Sequence, residues 1–280
     1  MSETIGRLTL VGTPIGNLSD FSPRAIEALQ SCDFIAAEDT RVTLKLLNHF
    51  GINKPLVSYH EHNKRESGQR LCARMLAGEN GVLVSDAGMP AISDPGEDLV
   101  NLCHQMGIPV GVVPGPTAVA SALALAGLPT GRFTFEGFLS VNKKERRAHL
   151  DSLKGEMRTM VFYEAPHKLK HTLADLLAAL GERPIALVRE ITKIHEEVIR
   201  TTLSAAVAKY EEEDPRGEFV VVVGGATATE TVAATPEEAA KIARAYMREG
   251  MSPSEAAKRA AADTGLKKGE IYRLLIAKED

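Results

Sequence analysis

Short β-branched runs alternate with segments of helical periodicity between Leu8 and about Gly127, and this alternation restricts the fold more than any other feature. The pattern is typical of a parallel β-sheet whose strands are joined by crossover helices. The runs predict five strands, at residues 8–11, 34–37, 56–58, 82–85 and 110–113. We therefore predict an N-terminal α/β domain over residues 1–128, built on a mainly parallel sheet.

Residues that favour helix ends mark the crossover helices of this domain. Ser22, Thr40 and Asp94 carry side chains that can cap a helix start, and proline follows Ser22 and Asp94 directly. Proline is favoured at the first helical position, because an N–H at that position would have no hydrogen-bond acceptor within the helix. The glycines expected to end helices are Gly51, Gly107 and Gly127.

A second α/β pattern covers residues 129–225 and predicts a mixed sheet. Its strands are expected at residues 133–136, 159–163, 185–188, 196–202 and 218–223. Pro166 begins a helical segment with leucines on one face, and Gly181 is expected to end it. We interpret this leucine face as core, because it does not continue over three heptads.

The C-terminal part of the chain has a different pattern. Residues 224–235 are small and weakly patterned, which is typical of a linker. Residues 236–280 predict three short helices around a glycine-containing turn, as in a helix-turn-helix module. This module is a candidate for RNA binding, and a helical cap or a dimer contact remains the alternative.

Composition and charge indicate an ordinary globular protein. Hydrophobic residues make up 44% and charged residues 25%, and the net charge of −4 gives no general attraction for nucleic acid. Any RNA contact must therefore use local basic patches. No apolar run approaches the roughly 20 residues that cross a membrane, so we expect a cytoplasmic protein without membrane contact. Cys32, Cys72 and Cys103 are far apart in the sequence and are interpreted as buried thiols.

The segments that follow the five N-terminal strands are polar and rich in residues that bend the chain. They comprise residues 12–17, 38–41, 59–63, 86–90 and 114–117. Ligands of open parallel sheets bind beyond the carboxyl ends of the strands, so these segments predict one shared site. The first matches neither GxGxxG nor GxxxxGK[ST], which argues against a nucleotide hydrolase. His60 and His62 are expected on opposite faces of an extended segment, so no metal is predicted.

Six sequence motifs carry a resemblance to a known family. They are VGTPIGNLSDFSPRAIEAL, AAEDTR, HEHN, VSDAGMPAISDPG, PGPTA and FYEAPH. Over residues 6–224 the chain resembles the tetrapyrrole methylase superfamily of S-adenosylmethionine-dependent methyltransferases. It is most similar to the branch that 2′-O-methylates a cytidine in small-subunit (16S) ribosomal RNA. Pro14 and Asn17 replace residues of the first loop of members that act on tetrapyrroles, which puts a porphyrin or corrin substrate in doubt.

The resemblance implies that S-adenosylmethionine lies folded in a cleft between the two α/β domains, and that the chain forms a homodimer. The residues implied for the cofactor are Pro14, Asp86, Met89, Thr117, Ala118, Phe162 and Tyr163. A carboxylate such as Asp86 can accept hydrogen bonds from ribose hydroxyls or an ammonium, and an aromatic face such as that of Tyr163 attracts a sulfonium.

Methyl transfer to a 2′-hydroxyl depends mainly on positioning, and a base can assist it. We expect Asp39 and His62 to act in catalysis, with His60 and Lys193 as alternatives for the proton acceptor. The ribosomal RNA, alone or in the small ribosomal subunit, is expected to contact Arg41, His60, Asn63, Lys143, Lys144, Arg146 and Arg147. A weaker basic candidate comprises Lys258, Arg259, Lys267 and Lys268.

Two rival functions remain open at this point. One is a methyltransferase of the same fold acting on a tetrapyrrole or, as in diphthine-type enzymes, on a modified histidine. The other is a non-enzymatic nucleic-acid-binding protein led by the helical module. Affinity for S-adenosylmethionine separates this second rival from the enzymes.

Overall fold

The computed structural model describes residues 5–226, 235–248 and 250–276. The chain divides into two compact units, and the first unit ends at Gly225. The first unit holds two five-stranded sheets, each with its own helices, so the prediction of two α/β domains is confirmed.

The first sheet is entirely parallel, with the strand order β3-β2-β4-β1-β5. Its strands are β1 (Leu8–Val11), β2 (Phe34–Ala37), β3 (Leu56–Ser58), β4 (Gly81–Val84) and β5 (Val110–Val113). Their helices are α1 (Pro23–Ser31), α2 (Thr40–His49), α3 (Lys64–Leu76), α4 (Glu97–Gln105) and α5 (Ala118–Ala126). This parallel sheet is the one predicted from the sequence, and only β4 differs, since it begins and ends one residue earlier than expected.

Both faces of the first sheet are covered by helices, which explains its nearly continuous apolar strands. Ile35 and Val82 pack into one hydrophobic cluster, whereas Phe34 and Leu83 pack into another on the opposite face. Every residue of β2 and β4 is buried. The polar side chains that could bind a ligand in this domain therefore lie in the segments that follow the strands.

The second sheet is mixed, as predicted, with the order β6-β7-β10-β8-β9. Its strands are β6 (Phe133–Gly137), β7 (Thr159–Glu164), β8 (Pro184–Arg189), β9 (Glu197–Thr202) and β10 (Phe219–Val223). Only the β6–β7 pair is parallel, and the other three pairs are antiparallel. The remaining helices of this unit are α6 (Lys143–Ser152), α7 (Pro166–Leu180) and α8 (Leu203–Glu212).

Different helices cover the two faces of the second sheet. On one face, the leucines of α7 form the core with no exposed area at Leu169, Leu173 and Leu176. The other face is covered by α5, whose Ala122 and Leu123 pack with residues of β7, β8 and β10. Helix α5 thus leaves the first sheet and packs against the second, which joins the two α/β domains.

Two predicted helix starts are wrong. Asp39, and not Thr40, caps α2, since its carboxylate accepts a hydrogen bond from the Arg41 N–H at 2.8 Å. Helix α4 begins at Glu97, and its N-cap is Gly96 and not Asp94. Gly96 has a φ of 148°, a backbone conformation that glycine adopts readily and other residues do not. Asp94 is therefore left in the preceding segment. Ser22 caps α1 as predicted.

The second unit consists of α9 (Pro236–Arg248), α10 (Pro253–Thr264) and α11 (Lys268–Ile276). Ser252 and Glu255 form a capping box at the start of α10, and alanines with Ile271 form the core of the unit. Gly265, with a φ of 71°, ends α10 and opens the turn to α11, as the predicted helix-turn-helix requires. The third helix was predicted over residues 269–278, and its residues 277 and 278, like the last two residues of the module, lie outside the described residues.

The predicted linker at residues 224–235 begins too early. Gly224 still belongs to the first unit, because its N–H donates to the Pro184 carbonyl at 2.8 Å. Residues 227–234 of this prediction lie outside the described part of the chain.

No helix within the described ranges is both long enough and apolar enough to cross a membrane. The three cysteines are buried and free, as predicted. The fold brings together two of them that are distant in the sequence, with 3.9 Å between the Cys72 and Cys103 sulfur atoms.

Replacing Leu173 with alanine should lower the free energy of unfolding by about 2–5 kcal/mol, because the side chain is fully buried and leaves a cavity. The matched control is Leu44→Ala in α2, where the side chain is 48% exposed and the loss should stay below about 1 kcal/mol. Urea unfolding followed by circular dichroism measures both. Equal losses for the two variants would contradict the assignment of the α7 leucines to the core.

Candidate functional site

A cavity of about 440 Å³ opens at the carboxyl ends of the first sheet and is closed on its other side by the second α/β domain. We call it the strand-end cavity. Its lining comprises Ile15, Glu38, residues 86–89, residues 92–94, Thr117, Ala118, Phe138, residues 163–165, Ile191, Lys193 and residues 218–220. A cavity of this size is within the range of small-molecule sites.

Glycines allow the segments after β1 and β5 to touch below the cavity. A Cβ atom at Gly12 would lie 2.7 Å from the Gly115 Cα atom and 2.7 Å from the Met89 sulfur. Two backbone hydrogen bonds, of 2.9 and 3.1 Å, join Thr13 to Gly88 and fix the segment after β4 beside that after β1. The close approach of these two backbone segments thus explains the glycine at the first position of GTPIG.

Three carboxylates from neighbouring strand ends form what we call the acidic wall: Glu38, Asp86 and Asp94. An Asp86 carboxylate oxygen accepts a hydrogen bond from the Asp39 N–H at 3.1 Å, which holds it across from β2. Burial and the neighbouring Asp94 and Asp86 raise the pKa of Glu38 above its ordinary value. Burial and the nearby Asp86 likewise raise the pKa of Asp94, although a hydrogen bond with Ser85 opposes this. The acidic wall favours a cationic ligand.

An aromatic side chain stands on the second-domain side of the cavity. The ring of Tyr163 has edge contacts with Phe135 at 4.9 Å and Phe138 at 5.5 Å between centroids. Its hydroxyl accepts a hydrogen bond from the Val119 N–H, at 3.2 Å, in the first turn of α5. Burial raises the pKa of this hydroxyl, so it stays neutral. Tyr163 thus offers an aromatic surface and ties β7 to α5.

The start of α5 is available to a ligand. Thr117 is the N-cap, but its side chain makes no capping hydrogen bond, and Thr117 and Ala118 line the cavity. The first N–H groups of a helix have no acceptor within the helix and attract anions such as a carboxylate.

The segment after β8 contains a paired lysine that follows a residue with a strained backbone. The Lys193 ammonium lies 2.9 Å from carboxylate oxygens of both Glu190 and Glu218. Burial lowers the pKa of Lys193, but the hydrogen bonds to Glu218 and Glu190 outweigh this and raise it. Thr192 has a φ of 68°, which is rare for a β-branched residue. Such strain concentrates at functional sites.

A family model, tetrapyrrole (corrin/porphyrin) methylases, matches residues 7–207. The chain belongs to the tetrapyrrole methylase family. The family resemblance carried by the six motifs is therefore confirmed, and the chain is a methyltransferase-class enzyme.

Two curated relatives align over nearly the whole chain. "Ribosomal RNA small subunit methyltransferase I" of Synechocystis sp. is 48% identical over 276 residues, which cover 98% of this chain and 99% of the relative. The protein of the same name from Bacillus subtilis is 45% identical, covering 96% of this chain and 93% of the relative. Both agree with the branch indicated by the motifs.

A solved structure confirms the fold at lower identity. Uroporphyrin-III C-methyltransferase from Thermus thermophilus, in complex with S-adenyl homocysteine, is 23% identical with a TM-score of 0.52. It covers 78% of this chain and 97% of its own. The shared fold is therefore that of the two α/β domains.

Most residues that the tetrapyrrole methylase resemblance implied for the cofactor lie together. Asp86, Met89, Thr117, Ala118 and Tyr163 all line the strand-end cavity. The other two do not line it.

Pro14 and Phe162 are the exceptions. Ile15, the neighbour of Pro14, is a lining residue in its place. Phe162 has no exposed area and packs in the cluster around α7. Successive residues of a strand point to opposite faces, so Phe162 faces away from the side of β7 that bears Tyr163. The Phe162 side chain therefore lies away from the strand-end cavity, and its contact with the cofactor stays a prediction.

Asp39 and His62, the residues predicted for catalysis, lie outside the cavity lining, whereas the alternative Lys193 is a lining residue. Asp39 pairs with Arg41, 2.5 Å apart, and caps α2. These hydrogen bonds hold the pKa of Asp39 well below its usual range, which makes it a poor proton acceptor. Glu38, the preceding residue, lines the cavity with a raised pKa and is better suited to that task.

His60, His62 and Asn63 belong to a turn between β3 and α3. The side chain of Asn63 accepts from the His60 N–H at 2.9 Å and donates to the Ser58 carbonyl at 3.2 Å, so it shapes this turn. The expectation that the two histidines point to opposite faces is wrong, since their ring centroids are only 6.0 Å apart. No group of three or more metal-ligating side chains occurs in the described ranges.

The predicted basic patch lies on the first turns of α6. Lys143 and Lys144 are exposed and form no ion pair in the part of the chain that the structure describes. Arg147 is 87% exposed. Arg146 is instead turned inward, 2.6 Å from Asp175 and 2.9 Å from Thr172, so its guanidinium serves packing of α6 on α7.

Several cavity residues were given no individual role from the sequence, although Ile15 and Glu38 lie in segments predicted to form the site. They include Ile15, Glu38, Ser93, Asp94, Phe138, Ile191 and Glu218. Glu38 and Asp94 carried a signal, because both lie within the quoted motifs AAEDTR and VSDAGMPAISDPG. Phe138 and Ile191 belong to segments whose approach to the cavity depends on the pairing of the second sheet.

The raised pKa of Glu38 predicts a pH-dependent stability. Its protonated form is favoured in the folded state, so stability should fall as pH rises from the ordinary value of 4.5 through the raised folded pKa. Glu38→Gln lacks this ionisation, so its melting temperature relative to wild type should increase between about pH 4 and pH 7.

Thermal unfolding across this pH range provides the measurement. The control is Glu27→Gln, at an exposed position of α1. The melting temperature of this variant relative to wild type should not increase with pH as that of Glu38→Gln does. A difference in melting temperature between Glu38→Gln and wild type that does not change with pH would show that folding does not raise the pKa of Glu38.

Proposed function

We propose that the chain transfers a methyl group from S-adenosylmethionine to the 2′-hydroxyl of a cytidine in small-subunit (16S) ribosomal RNA. The observation that carries this proposal is the charge of the strand-end cavity. Among its described lining residues, five are carboxylic and only Lys193 is basic, and an aromatic ring stands beside them. A sulfonium cation suits this lining, whereas a pyrophosphate does not.

The cofactor's parts match the residues of the cavity. Asp86 would hold ribose hydroxyls or the amino-acid ammonium, and the face of Tyr163 would lie near the sulfonium. The N–H groups at the start of α5, apart from that of Val119, which donates to Tyr163, would hold the carboxylate. S-adenosylmethionine supplies a methyl group that is already activated on sulfur. The chain's own task is then to bind and orient the acceptor.

The acceptor is proposed to approach from the first domain. Glu38 would take the proton of the ribose hydroxyl, because it lines the cavity and has a raised pKa. Asp39 and His62 would contact the substrate at the edge of the site, with Arg41, His60 and Asn63 around them. In this arrangement Asp39 is a positioning residue, because it caps α2 and its N–H holds Asp86.

Exposed basic side chains would bind RNA phosphates. Lys143, Lys144 and Arg147 on α6 are the candidates in the first unit. In the helical unit they are Lys258, Arg259, Lys267 and Lys268, of which Arg259 lies over the ring of Tyr246 and Lys268 donates to Ser254. Local patches suffice for RNA contact despite the net charge of −4. A homodimer is part of the proposal.

The rival acceptors are less well supported. Relatives named as ribosomal RNA methyltransferases reach 43–48% identity over nearly the full chain. Solved structures of tetrapyrrole methyltransferases and of diphthine synthase match at 17–23% identity, which supports the shared fold alone. A non-enzymatic nucleic-acid binder would not need the acidic and aromatic cavity.

Calorimetry with S-adenosylmethionine tests cofactor binding. Asp86→Asn should weaken the affinity about ten- to a hundredfold, because it removes a charged hydrogen-bond acceptor. Asp20→Asn, at an exposed position of the turn before α1, is the control and should bind as wild type does. Wild-type protein without measurable affinity, or Asp86→Asn with full affinity, contradicts the proposed cofactor site.

Mass mapping of 16S ribosomal RNA from cells lacking this protein tests the acceptor. We expect one cytidine to lack a ribose methyl, and the wild-type gene should restore it. Genes encoding Glu38→Gln, Asp39→Ala or His62→Ala should restore it only partly, whereas Glu27→Gln should restore it fully. An unchanged RNA, or a methyl lost from a base, refutes the proposed reaction.

A further inference from the structure

A second cavity, of about 330 Å³, lies between α3 and α4, outside the strand-end cavity. We call it the α3–α4 cavity. Its side chains of interest are Tyr59, Lys64, Arg65, Gln69, Asn101 and Gln105. None of the roles described above uses this cavity.

A buried hydroxyl without a partner belongs to the lining of the α3–α4 cavity. Tyr59 is only 1% exposed, and its hydroxyl makes no hydrogen bond within the part of the chain that the structure describes. Burial and the nearby Asp98 raise its pKa to about 12, against a smaller lowering by Lys64 and the Leu99 N–H, so the hydroxyl stays neutral and keeps a proton to donate. Buried polar groups in folded proteins are almost always paired. This hydroxyl therefore indicates a ligand.

The walls of the cavity carry unused amide groups. The side chains of Gln69, Asn101 and Gln105 are exposed and make no hydrogen bond among the described residues. Each amide offers both donors and an acceptor. Leu102, which is partly exposed, adds apolar surface between them. A planar ligand with mixed donors and acceptors suits this lining.

The charges of the cavity argue against a simple anion site. Lys64 is already paired with both Asp98 and Glu61, each 2.7 Å away. Arg65 is exposed and forms no ion pair in the described ranges, so one guanidinium remains at the rim. A neutral planar group in the cavity with a phosphate near Arg65 satisfies both features. A nucleotide has this composition.

The position of the cavity relates it to the strand-end cavity. Asp94 lines the first cavity and Asp98 lines the second. Four residues of chain span at most about 14 Å, so both cavities lie within reach of one short stretch of a polymer. Sequence-specific RNA recognition commonly uses unpaired bases bound on their edges.

We propose that the α3–α4 cavity binds one unpaired nucleobase of the RNA substrate, close in sequence to the nucleotide that is methylated. The Tyr59 hydroxyl and the three amides contact the edge of this base, and Arg65 contacts a neighbouring phosphate. This inference rests on the proposed function and adds to it a second point of recognition on the same RNA.

The test measures methylation of small ribosomal subunits from cells lacking this protein, using the full chain. Asn101→Ala, Gln105→Ala and Tyr59→Phe should each raise the KM for the subunit about three- to tenfold, as expected for a lost hydrogen bond. The kcat and the affinity for S-adenosylmethionine should stay within twofold of wild type. Gln30→Ala, an exposed amide on α1, is the matched control and should leave KM unchanged.

Unchanged KM values in all three variants overturn the inference while leaving the proposed function intact. A wild-type protein that methylates no RNA refutes the proposed function instead, and the cavity is then tested by titration with the four nucleoside 5′-monophosphates. Side-chain amide resonances of Gln69, Asn101 and Gln105 should shift with at least one nucleotide, and less in Tyr59→Phe. No shift, or the same shift with inorganic phosphate, overturns nucleobase binding.

Discussion

The packing of α5 against the second sheet is the interaction on which the rest of the first unit depends. Helix α5 follows the last strand of the first sheet, yet Ala122 and Leu123 are buried among residues of β7, β8 and β10. Arg200 of β9 reinforces this contact through hydrogen bonds to the Leu125 and Ala126 carbonyls. Because α5 begins at the strand-end cavity, its packing sets the distance between the two walls of that cavity.

The two walls of the cavity differ chemically because they arise from different parts of the fold. Parallel strands bring Glu38, Asp86 and Asp94 to one edge of the first sheet, where burial, and then mutual repulsion, raise the pKa of Glu38 and Asp94. The second domain contributes Tyr163 and the strained segment at Thr192. The repulsion between the three carboxylates and the strain at Thr192 both lower the stability of the fold. A cationic ligand in the cavity would reduce the repulsion between the carboxylates.

Local sequence patterns predicted much of this architecture. Strands β1, β2, β3 and β5 have the predicted bounds, since β-branched runs between turn residues are a strong local signal. The prediction failed at Asp94, where a polar residue before proline imitates a helix start although Gly96 provides the actual one. The resemblance also named Phe162 and Tyr163, adjacent residues of a strand whose side chains point to opposite faces, and of these two only Tyr163 lines the cavity.

The sequence by itself determined the two α/β patterns, the parallel first sheet and the convergence of its strand ends, because each depends on local periodicity and on turn residues. Only the tertiary structure decided that Glu38 faces the cavity while Asp39 caps a helix, and that Arg146 turns inward to Asp175. It also placed α5 on the second sheet and left the Tyr59 hydroxyl buried without a partner among the described residues. These outcomes depend on contacts between residues distant in the chain, which no local pattern encodes.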